Sequence, residues 1–383
     1  MSRPIHGGNL AWAARLAGCK PSELLDFSAS ISPLGPPRSV REAVQAAFSW
    51  VVAYPDTHYG ELRRAIAQHH GLTPDYVLPG NGAAELLTWA AREMSLQTRG
   101  CFSVTPGFSD YDRALGAFGI NPTNISLGNS LGNEERWHLD TWDTNFLEHI
   151  PQEIKLREFS FLLNNPHNPT GALLSRERVR SLLMAFGMVV VDEAFMDFLL
   201  PDREQSVIEW VDEFPRLVVL RSHTKFYSMP GIRLGYAIAQ PATLQRWQQW
   251  RDPWAVNSLA AAAGVAAIQD VEFQQQTWRW LEHGNHQLYE GLAALPGLSP
   301  LPSVANFFLV KCEVSATDLQ RQLLKQHRLY IRDCISFETL GDRYFRVAVK
   351  SEADNQRLLT ALAAILPTLP RQNHSHEDSP HGR

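Results

Sequence analysis

Cysteine is scarce in this chain: four in 383 residues, at positions 19, 101, 312 and 334. They lie too far apart to form a ligand pair, which excludes a zinc-ribbon type of site and a disulfide framework. Reduced thiols in a cytoplasmic protein are the expectation. Long apolar runs are also missing. Leu259 to Ile268 is short and mostly alanine, so no membrane span is expected. Positive charge is not in excess, with 35 Lys and Arg against 40 Asp and Glu, a net charge of −5. That balance gives no electrostatic case for nucleic acid or an anionic membrane. Met1 to Gly8 lacks the apolar core of a signal peptide, and no internal repeat is present. What remains is a 44% hydrophobic, 20% charged chain, the composition of a globular protein long enough for two domains.

The most informative stretch is Ser222-His223-Thr224-Lys225, followed by Gly231-Ile232-Arg233-Leu234-Gly235-Tyr236. A lysine follows a buried-looking strand, Leu217 to Leu220, and enters a loop with two hydroxyls. Such a lysine suits a Schiff base with a phosphate-bearing aldehyde, with Ser222, Thr224 and Arg233 donating to phosphate oxygens. The competing reading is a solvated loop. Upstream, Gly80-Asn81-Gly82-Ala83 precedes an apolar helix and leaves bare N–H groups at its N-terminus, where an anion is favoured; a tight turn is the plain alternative. Phe108 stands at a strand end, able to stack on a planar cofactor or simply to pack. Asn168, in Asn164-Asn165-Pro166-His167-Asn168-Pro169-Thr170-Gly171, offers an amide at another strand end. Asp192 ends the apolar strand Met188 to Val191, where a buried carboxylate needs a cation such as a protonated pyridine nitrogen.

Residues 1–40 read as an arm: a glycine loop, His6-Gly7-Gly8-Asn9, a short helix, then an extended segment, Asp26 to Pro37, suited to a lid. Tyr54 and Tyr59 are expected in an exposed loop. Residues 121–157 are expected to be connecting structure with one short strand. Beyond about Pro241 the pattern becomes helical, then α+β, with strands at Asn306–Val310, Leu329–Ile331 and Tyr344–Val349. Arg332 and Arg346 lie in these last strands, where a forked guanidinium matches a carboxylate or phosphate, or else a structural ion pair. Residues 368–383 are polar and expected to be disordered.

In order along the chain, Gly82-Ala83, Phe108, Asn168-Pro169-Thr170-Gly171, Asp192-Glu193-Ala194, Ser222-x-Thr224-Lys225 and Gly231-x-Arg233-x-Gly235 form a set. The set resembles the fold-type I pyridoxal-phosphate enzymes of the class I/II aminotransferase group, over the whole chain except the tail. The resemblance implies an α/β fold: a large domain (41–244) with a mostly parallel seven-stranded sheet between helices, a smaller α+β domain (245–367), an N-terminal arm (1–40) and a tail (368–383). It implies that Lys225 carries pyridoxal 5′-phosphate and moves protons. Asp192 would pair with the pyridine nitrogen, Asn168 with the phenolic oxygen, and Phe108 would stack on the ring. Gly82, Ala83, Ser222, Thr224 and Arg233 would hold the phosphate. Tyr54 would reach the cofactor phosphate of a second subunit, implying a homodimer, and Arg346 would take the substrate carboxylate. His6-Gly7-Gly8-Asn9 with Asp26-Phe27-Ser28-Ala29 and Pro33-Leu34-Gly35 is similar to the threonine-phosphate decarboxylase branch. This places His6, Gly7, Gly8 and Arg332 near a substrate phosphate. A histidinol-phosphate aminotransferase is the alternative, and a non-catalytic cofactor-binding protein the reading from another class. Two positions depart from the pattern: Phe195, where many relatives have tyrosine, and Ser32, where asparagine is frequent.

Overall fold

The computed structural model describes residues 4, 6–126, 150–151, 153–337 and 339–372. Seven strands form the central sheet: β2 (Val77–Gly80), β3 (Cys101–Thr105), β4 (Thr123–Ser126), β5 (Ser160–Asn164), β6 (Met188–Asp192), β7 (Leu217–Ser222) and β8 (Gly235–Ala239). Their order is β2-β8-β7-β6-β5-β3-β4. The β7-β6-β5-β3-β4 pairings are parallel, and β8 runs antiparallel to both β7 and β2. The central strands are apolar throughout because helices cover both faces, as parallel sheets require. One face packs Phe161, Val189, Val191 and Val219 against helices that include Arg176–Ala185. The other packs Leu162, Val190, Val218 and Leu220 against Ala83–Gln97 and Pro241–Trp250.

Parallel strands end together. The C-terminal ends of β3, β5, β6 and β7 therefore deliver Thr105, Asn164, Asp192 and Ser222 to one edge of the sheet, the usual place for a ligand in an open α/β fold.

The C-terminal part holds a four-stranded antiparallel sheet, β12-β13-β10-β9, from Arg332–Asp333, Tyr344–Ala348, Phe307–Cys312 and Leu298–Pro300. The long helix Val271–Ala293 and the helix Glu352–Ile365 pack on it. A single strand over Leu329–Ile331 does not form. Leu329–Tyr330 (β11) instead pairs in parallel with Leu25–Asp26 (β1) of the arm, and the chain then crosses to β12. The arm is thereby fixed to this domain. A division at 244/245 falls inside the helix Pro241–Trp250, whose Leu244 and Trp247 lie in the core of the large sheet.

Two further expectations are corrected, and two segments are only partly placed. Tyr59 is buried, not exposed: its ring joins the core beside Leu62 and Val256, and its hydroxyl accepts from Val256 N at 3.0 Å. The polar tail does not begin at 368, because Arg371 bridges to Val314 and Gln372 N donates to Glu313 O at 2.7 Å. Residues 373–383 lie outside the described residues, as do 127–149 of the connecting stretch.

Candidate active site

A cavity of about 170 Å³ opens where the strand ends meet the small domain and the arm, and it is lined by His6, Phe108, Asn168, Asp192, Lys225, Arg332 and Arg346, among others. Lys225 enters from the turn after β7. Among the described residues its Nζ has no hydrogen bond or ion pair. Burial, followed by the Arg346 and Arg233 charges, lowers its pKa to about 8. The shift leaves the amine still largely protonated at physiological pH but makes its neutral, nucleophilic form far easier to reach than in a solvated lysine.

Asp192 is buried at the end of β6. Its Oδ2 accepts from Tyr111 Oη at 2.8 Å and its Oδ1 from Ala194 N at 3.0 Å. Burial nevertheless raises its pKa, the two hydrogen bonds and Lys225 pulling the other way. A buried carboxylate facing a cavity in this state gains from a cation placed there. Asn164 closes the floor: its amide donates to Asp192 O at 2.8 Å and its Oδ1 accepts from Asn168 N at 2.7 Å.

The glycines around Arg233 have a steric cause. Gly235 pairs with both Ser222 and Gly80 across the sheet. A Cβ there would lie 2.6 Å from Ala83 N and 2.7 Å from Arg221 O. At Gly82, φ is 76°, and a Cβ would lie 2.5 Å from Arg233 Nη2. The backbone therefore closes in, with the helix N-terminus at Ala83 against Gly235 and the Arg233 guanidinium against Gly82, while the hydroxyls of Ser222 and Thr224 pair at 2.7 Å. Helix N–H groups, hydroxyls and a guanidinium are the donor types that can bind a phosphate.

The model of the "Aminotransferase class I and II" family matches residues 22–362. The chain belongs to that family. It is 40% identical to threonine-phosphate decarboxylase of Salmonella typhimurium, over 94% of this chain and 96% of that protein. It is 32% identical to histidinol-phosphate aminotransferase of Methylobacillus flagellatus, over 93% and 92%. The crystal structure of histidinol-phosphate aminotransferase from Clostridium acetobutylicum superposes with a TM-score of 0.80 at 26% identity, covering 90% of this chain and all of that one. The cofactor of this aminotransferase-family chain is pyridoxal 5′-phosphate. The residues present fit it: a buried lysine with no hydrogen bond or ion pair among the described residues, and a buried acid lining the same cavity.

The small domain contributes two arginines. Arg332 and Arg346 are directly opposite each other in the β12–β13 ladder, and both side chains are buried. Arg346 donates through Nη1 to Asn168 Oδ1 and through Nη2 to Ser28 O at 3.3 Å. Burial and the neighbouring Arg332 lower its pKa to about 10. Arg332 is held by Pro4 O at 3.2 Å and Ser336 Oγ at 2.6 Å.

From the arm, His6 and Gly7 line the cavity. Gly8 N donates to Ser28 Oγ at 2.8 Å, and a Cβ on Gly7 would collide with Ser28 O. Tyr54 is not brought to this cavity. It is 79% exposed and stacks on Trp254, with ring centroids 4.5 Å apart. Tyr111 and Asn164 were not distinguishable beforehand. Tyr111 lies on the short helix Asp110–Gly116 and meets Phe108, in the loop before it, edge-on at a centroid distance of 5.6 Å.

Proposed function

We propose that this chain decarboxylates L-threonine O-3-phosphate to 1-amino-2-propanol O-2-phosphate, the step that supplies a cobalamin side chain. The carrying observation is the Arg332–Arg346 pair. Two buried like charges directly opposite each other in a ladder repel. They suit a ligand that brings two anions, and an amino acid phosphate ester has a carboxylate and a phosphate. The 40% identity to a threonine-phosphate decarboxylase supports the choice of ester.

In this reading Arg346 takes the carboxylate, and Arg332 with His6, Gly7 and Gly8 takes the substrate phosphate. Asn168 turns Oδ1 to Arg346, which leaves its Nδ2 to donate to the cofactor's phenolic oxygen. Asp192 holds the ring nitrogen protonated, and Phe108 covers a ring face. Gly82, Ala83, Ser222, Thr224 and Arg233 hold the cofactor phosphate. The bound ring supplies an electron sink for whichever Cα bond stands perpendicular to its plane. The two arginines set which bond that is by fixing both anions at once, and Lys225 Nζ returns a proton to Cα after CO₂ leaves.

The enzyme is further proposed to act as a cytoplasmic homodimer. Phe48, Trp50, Val51, Val52, Tyr54 and Trp254 are exposed large hydrophobics close together in the chain or in space, a surface that a second copy would cover. Tyr54 would then reach the partner's cofactor phosphate. Among the described residues no helix is long and apolar enough to cross a membrane. Transamination of histidinol phosphate is the second reading, favoured by the match to that aminotransferase. Purified protein incubated with pyridoxal phosphate and threonine phosphate separates them. Release of CO₂ with no 2-oxo acid present is expected; strict dependence on 2-oxoglutarate would exclude the decarboxylase.

A further inference from the structure

The arm over the cavity is tied at both ends. On the small-domain side, Phe27 N donates to Tyr330 O at 2.8 Å, Ala348 N donates to Phe27 O at 2.9 Å, and Lys350 Nζ reaches Ile31 O at 3.2 Å. Arg346 itself touches Ser28 O. On the large-domain side, besides the contacts of His6 with Ser109 and Phe108, the arm is hydrogen-bonded at Ser32. Its N–H donates to the main-chain carbonyl of Lys225 at 3.1 Å. Its own carbonyl accepts from Ser228 Oγ at 2.6 Å. Ser32 and Ser228 are both buried, at 3% and 7% exposure, so neither bond is shared with bulk water.

Ser228 also has φ of 53°, a left-handed conformation that a serine adopts at a cost. A residue stays in such a conformation when its surroundings fix it there. Here the fixing bond is the one to Ser32 O. The loop Lys225–Ser228 and the arm residue Ser32 therefore close a ring of two hydrogen bonds around the base of the reactive lysine.

We propose that Ser228 is a positioning residue: through Ser32 it couples the arm, and the anion-binding arginine fastened to that arm, to the backbone of Lys225. When substrate anions draw Arg346 and the arm together, the movement reaches the lysine along Ser28 to Ser32 and not through the cofactor. The serine at position 32 fits this role. Its side-chain Oγ accepts from Leu34 N at a long 3.4 Å, while its main chain makes both couplings. The inference rests on the reading of Lys225 as the cofactor-bearing lysine.

The test uses Ser228→Ala, which removes the hydroxyl, and Ser228→Gly, which removes it and accepts the left-handed backbone without strain. Hydrogen exchange of residues 26–35 is measured in the cofactor-free protein, and the absorbance of the pyridoxal-phosphate-loaded protein is titrated with pH. Loss of one neutral hydrogen bond should speed exchange in this segment about five-fold in both variants. The titration midpoint should move by about half a pH unit. Unchanged exchange overturns the proposal, because the arm is then not held by Ser228. Faster exchange with an unmoved titration overturns it equally, because the arm is then not coupled to the lysine. Should the alanine variant fail to fold, the glycine variant gives both readings. Exchange requires no substrate, so failure of the decarboxylase assay with these results intact would count against the proposed reaction alone.

Discussion

The guanidinium of Arg346 and the side-chain amide of Asn168 are hydrogen-bonded across the domain junction. One is proposed to bind the substrate, the other the cofactor, so the two sites share a bond. Arg346→Gln is expected to lower kcat/KM by about two orders of magnitude, the value of a lost charged contact of roughly 3 kcal/mol. Its folded state should be more stable, not less, because Arg346 and Arg332 repel in the absence of an anion. Steady-state kinetics with threonine phosphate and a thermal melt of the substrate-free protein check the two halves. A lower melting temperature would show that the guanidinium contributes to the fold on its own.

Gly235 gives a sharper steric prediction. Gly235→Ala places a methyl group against Ala83 N and Arg221 O, both main-chain atoms that cannot rotate away. Overpacking of this kind costs about 1–3 kcal/mol. It also pushes apart β8 and the helix N-terminus proposed to hold the cofactor phosphate. Urea unfolding should show the loss of stability, and a pyridoxal phosphate titration should show weaker binding in the variant that still folds.

The difference between Asp192 and Glu193 shows what could and could not be read in advance. The apolar run before Asp192 marks it as a strand-end acid, and the parallel sheet then puts it with the other strand ends. Pattern and periodicity suffice for that; for Lys225, Asn168 and the glycines they leave a plain loop or turn open, and it is the order of the whole set that resembles a family site. Glu193 is one residue further on and equally buried, yet it has a different fate. It accepts from Arg221 Nε at 2.9 Å, and that same guanidinium also meets Asp197 and Glu204. These partners are 17 to 28 residues from Arg221, and nothing local announces the pairing. The same holds for Tyr111, whose partner is 81 residues away, and for the arm, whose strand pairs with residues some 300 positions later. Local rules set the elements; long-range pairings of single polar side chains decide which of them face the cavity.

His223 lies between Ser222 and Thr224 but points the other way, into a buried aromatic cluster with Tyr227 and Tyr236 at centroid distances of 5.2 and 5.3 Å. Among the described residues, neither of its ring nitrogens has a hydrogen-bond partner. Burial lowers its pKa to about 3, and that of nearby His70 to about 2. Below about pH 6.5 the unfolded chain takes up protons at these positions and the folded chain does not, so stability falls as pH falls. Each such histidine adds up to about 1.4 kcal/mol per pH unit to that slope. Glu193, raised to about 7 by burial, acts in the opposite sense, since the folded state holds its proton more tightly. His223→Leu should therefore raise the melting temperature at pH 5 more than at pH 8, and lower the proton uptake on unfolding by about one. An equal gain at both pH values would mean that the imidazole is protonated in the folded state.

Phe195 is a wall of the cavity and packs edge-on against Phe307 at 5.0 Å. Arg346 lies over the opposite partner of that pair, 4.9 Å from the Phe307 centroid. A phenylalanine here gives the cavity an apolar side where a tyrosine would give a hydroxyl donor. In the proposed reading, Asn168 Nδ2 then serves the cofactor's phenolic oxygen without help from position 195. Phe195→Tyr adds one oxygen at the ring edge and keeps the packing surface. A second donor to that oxygen favours its ionised form, so the pH titration of the bound cofactor's absorbance should move downward. A shift of about half a unit or more is expected from one added hydrogen bond. If the titration does not move, the position 195 ring edge does not face the phenolic oxygen, and the cofactor lies in the cavity in another orientation.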